Sequence, residues 1–400
     1  VYPWGGGHYA RMMALDAELR ALRGDLDVHY ASKEPILSRL RERFPRAGPN
    51  IHEILMPTPI GGRSGPSVAR SLLNLAVPVG GPTLPSRIAS YLRAEARLYD
   101  RERFDLAIND GDMGSNVIAS RRSIPCAFVT NQYRPRLYAS RFYLRPAAEF
   151  IARQIAKATR ILVADSAPPN CICERNLNIP KPLMHKVEFV GHFAQRPAPR
   201  AGPPGDLERL IGDAEFGYWM RTGDAPTNSA TGAKYEAAFA DPKMRDCRRV
   251  VSHARPGAAI DRVVGRDGGV HTVREALERG VDWLQIDVAF LSDAERDAVL
   301  GRCAHAVLNG SHTAMGEVLG TWQKPIVGVP IYDEHANHVS WARDRGLGAM
   351  ARTPREIASA AAGMLASPRA HDGALRAFGA SFEAGGARRA AAAAAALLDG

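Results

Sequence analysis

Four stretches of this sequence combine residue types that could do chemistry. The first is Gly5-Gly6-Gly7-His8-Tyr9-Ala10-Arg11. Glycines ahead of a helix tolerate φ > 0 and let a ligand approach the backbone. Free N–H groups at a helix start attract an anion, so Gly6 and Gly7 are expected to line one. His8 on such a turn can take a proton or donate to an oxyanion. Gly5-x-Gly7-x-x-Ala10 also satisfies the dinucleotide fingerprint, but no acidic residue is clearly placed at the end of a second strand. The second stretch is Asp110-Gly111-Asp112, two carboxylates that could hold a divalent cation or move a proton. The third runs from Ala304 to Gly320, followed by Lys324-Pro325-Ile326-Val327-Gly328-Val329-Pro330. A buried strand there leads into the turn at Gly310, and a helix starts near Ser311, His312 and Thr313, where the Ser311 and Thr313 hydroxyls suit capping and phosphate. Glu317, one turn in, could accept both hydroxyls of a ribose or simply complement the helix dipole. In the fourth, Arg134, Arg136, Arg141 and Arg145 interleave with Tyr133, Tyr138, Phe142, Tyr143 and Leu144. That pattern suits a membrane interface, an anionic ligand or a solvated basic face.

The elements that must position these residues alternate. A helix with Met12, Leu15, Leu19 and Leu22 on one stripe follows the glycines. Strands are expected at 27–31, 51–55, 104–108, 126–129 and 161–164, with a helix from about Ser115. The segment Gln195–Gly205, rich in Pro and Gly, cannot be regular structure. After it the alternation restarts, with strands expected at 216–220, 249–252, 283–286, 304–308 and 325–329. Buried strands alternating with helices mean parallel sheets covered on both faces. The expected fold class is therefore α/β: two Rossmann-like domains with parallel sheets facing a central cleft. Their bounds are drawn at 1–195 and 196–386, with an Ala-rich C-terminal helix at 387–400. A ligand belongs at the switch points of such sheets.

Composition narrows the classes. The 400 residues are 46% hydrophobic and 24% charged, which excludes wholesale disorder. No apolar run approaches the ~18 residues of a membrane span. Five cysteines, an odd and scattered number, suit a reducing compartment. Cys171-x-Cys173 lacks a second Cys/His pair at zinc-ligand spacing. The net charge of +10 would attract any polyanion, but without zinc-finger spacing or an aromatic RNA-binding strand no nucleic-acid partner is expected. No charged and apolar leader follows Val1-Tyr2-Pro3, so a cytoplasmic protein is expected, with peripheral membrane contact through the basic aromatic segment.

The third stretch resembles the donor-binding signature of B-type, two-domain nucleotide-sugar glycosyltransferases, and Gly5-x-Gly7-His8-x-x-Arg11 is similar to the N-terminal loop of that superfamily. The nearest families it resembles are those of the lipid-II-forming N-acetylglucosaminyltransferase and related UDP-glycosyltransferases. The resemblance implies transfer of a sugar from a nucleoside diphosphate, with UDP the expected nucleotide, to a hydroxyl or amine acceptor. It implies a first domain for the acceptor and a second for the donor. By it, His8 faces acceptor and donor, Glu317 binds ribose, and Ser311, His312 and Thr313 face the diphosphate. Thr222 and Gly223 fall on a second phosphate loop, next to an Asp224 that would repel phosphate if it pointed inward. Asp333, Glu334 and His335 fall on the segment that meets the donor sugar, with His335 and His338 standing where the family has Gln and Asn. The resemblance also implies catalysis without metal or further cofactor, helix dipoles meeting the leaving diphosphate. Asp110 and Asp112 are then acceptor-side acids that could share with His8 the deprotonation of the acceptor. Three other functions stay open: a sugar-nucleotide 2-epimerase of the same fold, a nicotinamide-dependent oxidoreductase, and a non-catalytic sugar-nucleotide binder.

Overall fold

The computed structural model describes residues 1–3, 5–58, 60–62, 65–137, 139–194, 203–255 and 260–399. The chain forms two compact units, Val1–Phe193 with Glu383–Gly400, and Ala194–Phe382. The expected linker at Gln195–Gly205 lies mostly outside the described residues, as does Tyr138.

In the first unit, β1 (Tyr30–Ser32) and β2 (Ile51–Glu53) form a parallel pair. A four-stranded parallel sheet follows in the order β3 (Ala107–Asp110), β4 (Cys126–Thr130), β5 (Arg160–Val163) and β6 (Val187–Phe189). Every residue of β4 is buried, as a strand covered on both faces requires. On one face Leu15 and Leu19 of the helix Gly5–Leu22 pack with Ala127, Val129 and Leu162. Ala390, Ala391 and Ala394 join that same cluster. The C-terminal stretch expected at 387–400 as an element of its own is thus a wall of the first unit. Its helix is Gly386–Ala395, and small side chains let it sit close. Main-chain hydrogen bonds from His192 N to Glu383 O and from Gly386 N to His192 O fasten it there.

The second unit is one eight-stranded sheet. Its parallel part comprises β7 (Gly217–Met220), β8 (Arg249–Ser252), β11 (Trp283–Val288), β12 (His305–Leu308), β13 (Ile326–Gly328) and β14 (Gly348–Met350). Their order, β11-β8-β7-β12-β13-β14, is the 3-2-1-4-5-6 sequence of a doubly wound dinucleotide-type sheet. Two antiparallel strands, β9 (Ile260–Gly265) and β10 (Val270–His271), extend the β11 edge. Trp219, Tyr235, Val251, Val307 and Val327 anchor the core.

One core residue carries an acid-labile element. His305 on β12 is fully buried, and neither ring nitrogen has a hydrogen-bond partner among the described residues. A Cβ placed on Gly217 of β7 would come within 2.7 Å of its Nε2, so the ring edge packs against that strand. Burial pulls its pKa down to about 4, below the ~6.5 of a free imidazole. The folded state therefore holds His305 neutral, and its contribution, present above pH ~6.5, is lost as pH falls toward 4. A drop from pH 7 to 4.5 is expected to cost about 2–3 kcal/mol through this residue. His305→Leu should flatten that dependence in urea unfolding at the two pH values. An unchanged pH dependence in the variant would remove His305 as its source.

Candidate active site

The residues expected to do chemistry fall into two sets, one in each unit. In the first unit β3 ends at Asp110, which is 1% exposed. His8 and Arg11 lie one turn apart on the helix Gly5–Leu22, so both reach the same carboxylate. Arg11 grips it with two bonds, Nε to Oδ2 at 2.9 Å and Nη2 to Oδ1 at 2.8 Å. His8 Nδ1 lies 2.7 Å from Oδ1. Burial would push the Asp110 carboxyl up, but Arg11 and His8 hold it well below the usual carboxylate range. Arg11 Nη2 also lies 3.2 Å from His8 Nδ1, but the shorter 2.7 Å contact to a carboxylate, which only accepts, puts the imidazole proton on Nδ1 and leaves the lone pair on Nε2. With a quarter of the His8 side chain exposed, the arrangement can act as an oriented general base.

In the second unit the strand order reverses between β7 and β12, the place where such sheets bind ligands. The two loops there are stitched together. Thr222 Oγ1 donates to Asn309 Oδ1 at 2.9 Å, and Asn309 Nδ2 donates to the Thr222 carbonyl at 3.1 Å. Gly223 and Gly310 both have φ above +90°, which their turns require. A side chain on Gly310 would also meet the His335 carbonyl at 2.8 Å. Helices start behind both turns, at Ala225 and at His312, and no side chain caps either start. Their first N–H groups, with the dipoles behind them, suit an anion. The residues expected here, Thr222, Gly223, Gly310, Ser311, His312 and Thr313, are thus gathered at one switch point. His312 is buried, its ring 5.4 Å from that of His338, whereas Ser311 and Thr313 are half-buried.

Several expected roles change. Asp112 is a helix cap: it accepts from Gly114 N and Ser115 N and from the Tyr91 hydroxyl. Its carboxyl is pushed up by burial. Neither aspartate of the triplet is therefore set out for a metal. Gly6 and Gly7 lie within the first turn of the helix that begins at Gly5, not on a turn ahead of it. Neither has positive φ, and a Cβ on Gly6 would meet nothing within 4 Å.

Glu317 sits in a π-helical turn, Gly316–Thr321, and pairs at 2.7 Å with Arg296 of the helix Asp293–Arg302. Burial pushes its carboxyl up, and Arg296 opposes the shift. A ribose would share this carboxylate with Arg296.

Asp333 and Glu334 occupy the first turn of the helix Asp333–Asp344, where acids favour the dipole. His335 is buried rather than open, its ring stacked on Tyr332 at 3.9 Å between centroids. Burial, then His338, pulls its pKa down to about 3. Its Nδ1 has no partner. His338 is wholly buried and its Nδ1 donates to the Gly310 carbonyl at 2.9 Å, so it fixes the turn.

Arg11, Asn309 and Phe290 had no expected role. Phe290 follows β11 and is 61% exposed, an aromatic face at the C-terminal end of a sheet strand. A sequence signal existed for Arg11, three residues after His8, but its partner lies 99 residues away.

Comparison with solved structures matches the whole chain. The calicheamicin glycosyltransferase CalG4 superposes with a TM-score of 0.62 at 16% identity, covering 100% of this chain and 97% of that one. The chain has the fold of the B-type glycosyltransferases. MurG from Acinetobacter baumannii matches at TM-score 0.56 and 11% identity, over 99% of this chain and 98% of that one. A Polygonum tinctorium UDP-glucosyltransferase that glucosylates indoxyl matches at 0.62 and 14%, over 100% and 98%. No protein-family model and no curated protein matches the sequence. The B-type fold bears out the two Rossmann-like domains expected from the alternating elements. It also accounts for the 3-2-1-4-5-6 order of the second unit, since that order creates the switch point where Thr222 meets Asn309.

Proposed function

We propose that the protein is a metal-independent glycosyltransferase that moves a sugar from a nucleoside diphosphate, UDP first, to a hydroxyl or amine acceptor. The observation that carries this reading is the His8–Asp110 pair, which leaves Nε2 of an oriented imidazole as the base. In the step proposed, the acceptor proton passes to His8 Nε2 as the acceptor oxygen or nitrogen attacks the anomeric carbon. The bond from that carbon to the diphosphate breaks, and the nucleotide leaves with the electron pair. Helix starts at Ala225 and His312 meet the growing charge. Phe290 offers a stacking face for the base, and Glu317 a carboxylate for ribose. His335 Nδ1, buried without a partner, is a further polar atom beside the Gly310 turn. The capping role of Asp112 and the clamping of Asp110 by Arg11 support chemistry without a metal at this triplet.

A thermal-shift panel of UDP-, dTDP- and GDP-sugars, followed by product analysis in EDTA, tests the reading. Stabilisation by a UDP-sugar and glycosylated product that persists in EDTA are expected. An epimer formed from donor alone, or stabilisation by NADH and no sugar nucleotide, would replace it. Glu317→Ala is expected to weaken UDP binding roughly ten- to hundred-fold by calorimetry. Unaltered affinity would end its ribose role.

The acceptor side includes an exposed apolar and basic face. Phe142 is 74% and Phe150 60% exposed, and Tyr143 and Ile151 join them. Arg145, Arg153 and Lys157 are exposed beside them, and the one acid of this stretch, Glu149, pairs with Arg134. Among the described residues, no helix is long and apolar enough to cross a membrane. The face suits the surface of an anionic bilayer, where each cation contributes about 1 kcal/mol. Replacing Phe150 and Ile151 with Ser is expected to lower sedimentation with phosphatidylglycerol vesicles several-fold; equal sedimentation would discard the contact.

A further inference from the structure

We propose that His29, His52 and Glu102 form a zinc site in the first unit, separate from every residue assigned above. Three elements supply them. His29 precedes β1, His52 is the central residue of β2, and Glu102 ends the helix Leu84–Glu102. The β1–β2 register holds His52 opposite Ala31, so the two histidines are placed by paired backbone. One ligand atom from each of the three lies within 4.8 Å of the others. All three are half-buried, and the His29 side chain is 14% exposed. The imidazoles stack at 5.2 Å, and Phe104 closes the other side of His29 at 5.3 Å.

The protonation pattern follows from the partners. Arg101 Nη2 lies 3.4 Å from His52 Nδ1, and a guanidinium only donates. His52 Nδ1 therefore accepts, and its proton sits on Nε2. That Nε2 is 2.9 Å from His29 Nδ1, which must then be the acceptor. His29 keeps its proton on Nε2, directed at Asp27 Oδ2, 3.3 Å away. A carboxylate on the far nitrogen is how metal-ligating histidines are oriented, and here it leaves His29 Nδ1 as a ready lone pair. His52 becomes a second ligand by moving its proton from Nε2 to Nδ1.

Arg101 marks the site as one that already holds a cation. Its Nε binds Glu102 Oε1 at 2.6 Å while its Nη2 faces His52. Two of the three ligands thus meet a positive charge on a side chain that is 64% exposed and free to swing out. A divalent ion would replace that charge at the Glu102 carboxylate, and withdrawal of Arg101 would free His52 Nδ1 to take the proton that Nε2 gives up. Two imidazoles and one carboxylate form a borderline donor set suited to zinc, with a fourth position for water. The ion would strap the β1–β2 pair to the end of the Leu84–Glu102 helix.

Tag-free protein stripped with EDTA and titrated with Zn²⁺ by calorimetry tests this. One zinc is expected to bind per chain and raise the melting temperature. His52→Ala and Glu102→Gln should each weaken binding about ten-fold or more and remove the thermal shift. Arg101→Ala should tighten it, because the competing cation is gone. The apo variants should melt near the apo wild type, and Glu102→Gln at a helix end serves if His52→Ala unfolds. Zinc binding of equal strength in wild type and Glu102→Gln, or no gain in Arg101→Ala, would overturn the proposal. Neither result touches the proposed transfer reaction, which uses none of these residues.

Discussion

His8→Ala is expected to lower turnover ~10²–10⁴-fold while UDP affinity stays nearly unchanged. The loss falls on the chemical step because the imidazole takes a proton only as the acceptor attacks. Single-turnover kinetics with saturating donor separates that step from binding. His8→Gln divides the role further, since Gln can hold a hydrogen bond to Asp110 and cannot take a proton. A Gln variant that keeps most of the rate would make His8 an orienting group and move the base elsewhere. An Ala variant that keeps it would reduce the loop to structure.

Asp110→Ala should do more than slow the reaction. The carboxylate is buried, and it compensates a guanidinium that is only 5% exposed. Removing it strands the Arg11 charge, for which about 3–5 kcal/mol of stability is the expected loss. Arg11→Met combined with Asp110→Ala should recover part of it, because the charge goes with its partner. Urea unfolding of the two variants makes the comparison, and equal stability of Asp110→Ala and wild type would refute the buried pairing. The pH sign follows from the depressed carboxyl. Its contribution is in full force above the ordinary carboxylate range near pH ~4 and fades as pH falls below it. Acid thus acts on the first unit through Asp110 and on the second through His305, and the His305 window opens at the higher pH.

The fold was readable where strands are continuous apolar runs. Cys126–Thr130 and His305–Leu308 are buried along their whole length, and their sequences show it. Strands β6, β9, β10 and β14 escaped notice. Ile260–Gly265 carries Asp261 and Arg262 on an antiparallel edge, and Gly348–Met350 is three residues with a glycine. The helix at Gly5 was legible from its leucine stripe, but its start was placed too late, because three glycines look like a turn. In the site, residue types at the motifs could be named one by one. What they touch could not: His8 and Asp110 are 102 residues apart, and only the β3 end brings them together. Glu317 illustrates the opposite case. Its spacing suggested a free carboxylate, whereas a π-helical turn and Arg296 decide its surroundings. The buried states of His335 and His338 were equally hidden, since a helix start rich in His and acid reads as polar surface.

The helix Gly386–Ala395 gives the chain an order of completion during synthesis. Leu15, Leu19 and Val129 cannot bury their shared face until Ala390, Ala391 and Ala394 have left the ribosome. The whole nucleotide-type sheet is made before then, as a continuous insert from Ala194 to Phe382. Domains fold as units while the chain emerges, so the second unit is free to fold first. The half that holds His8 starts before the insert, and its core closes only after the insert has been made.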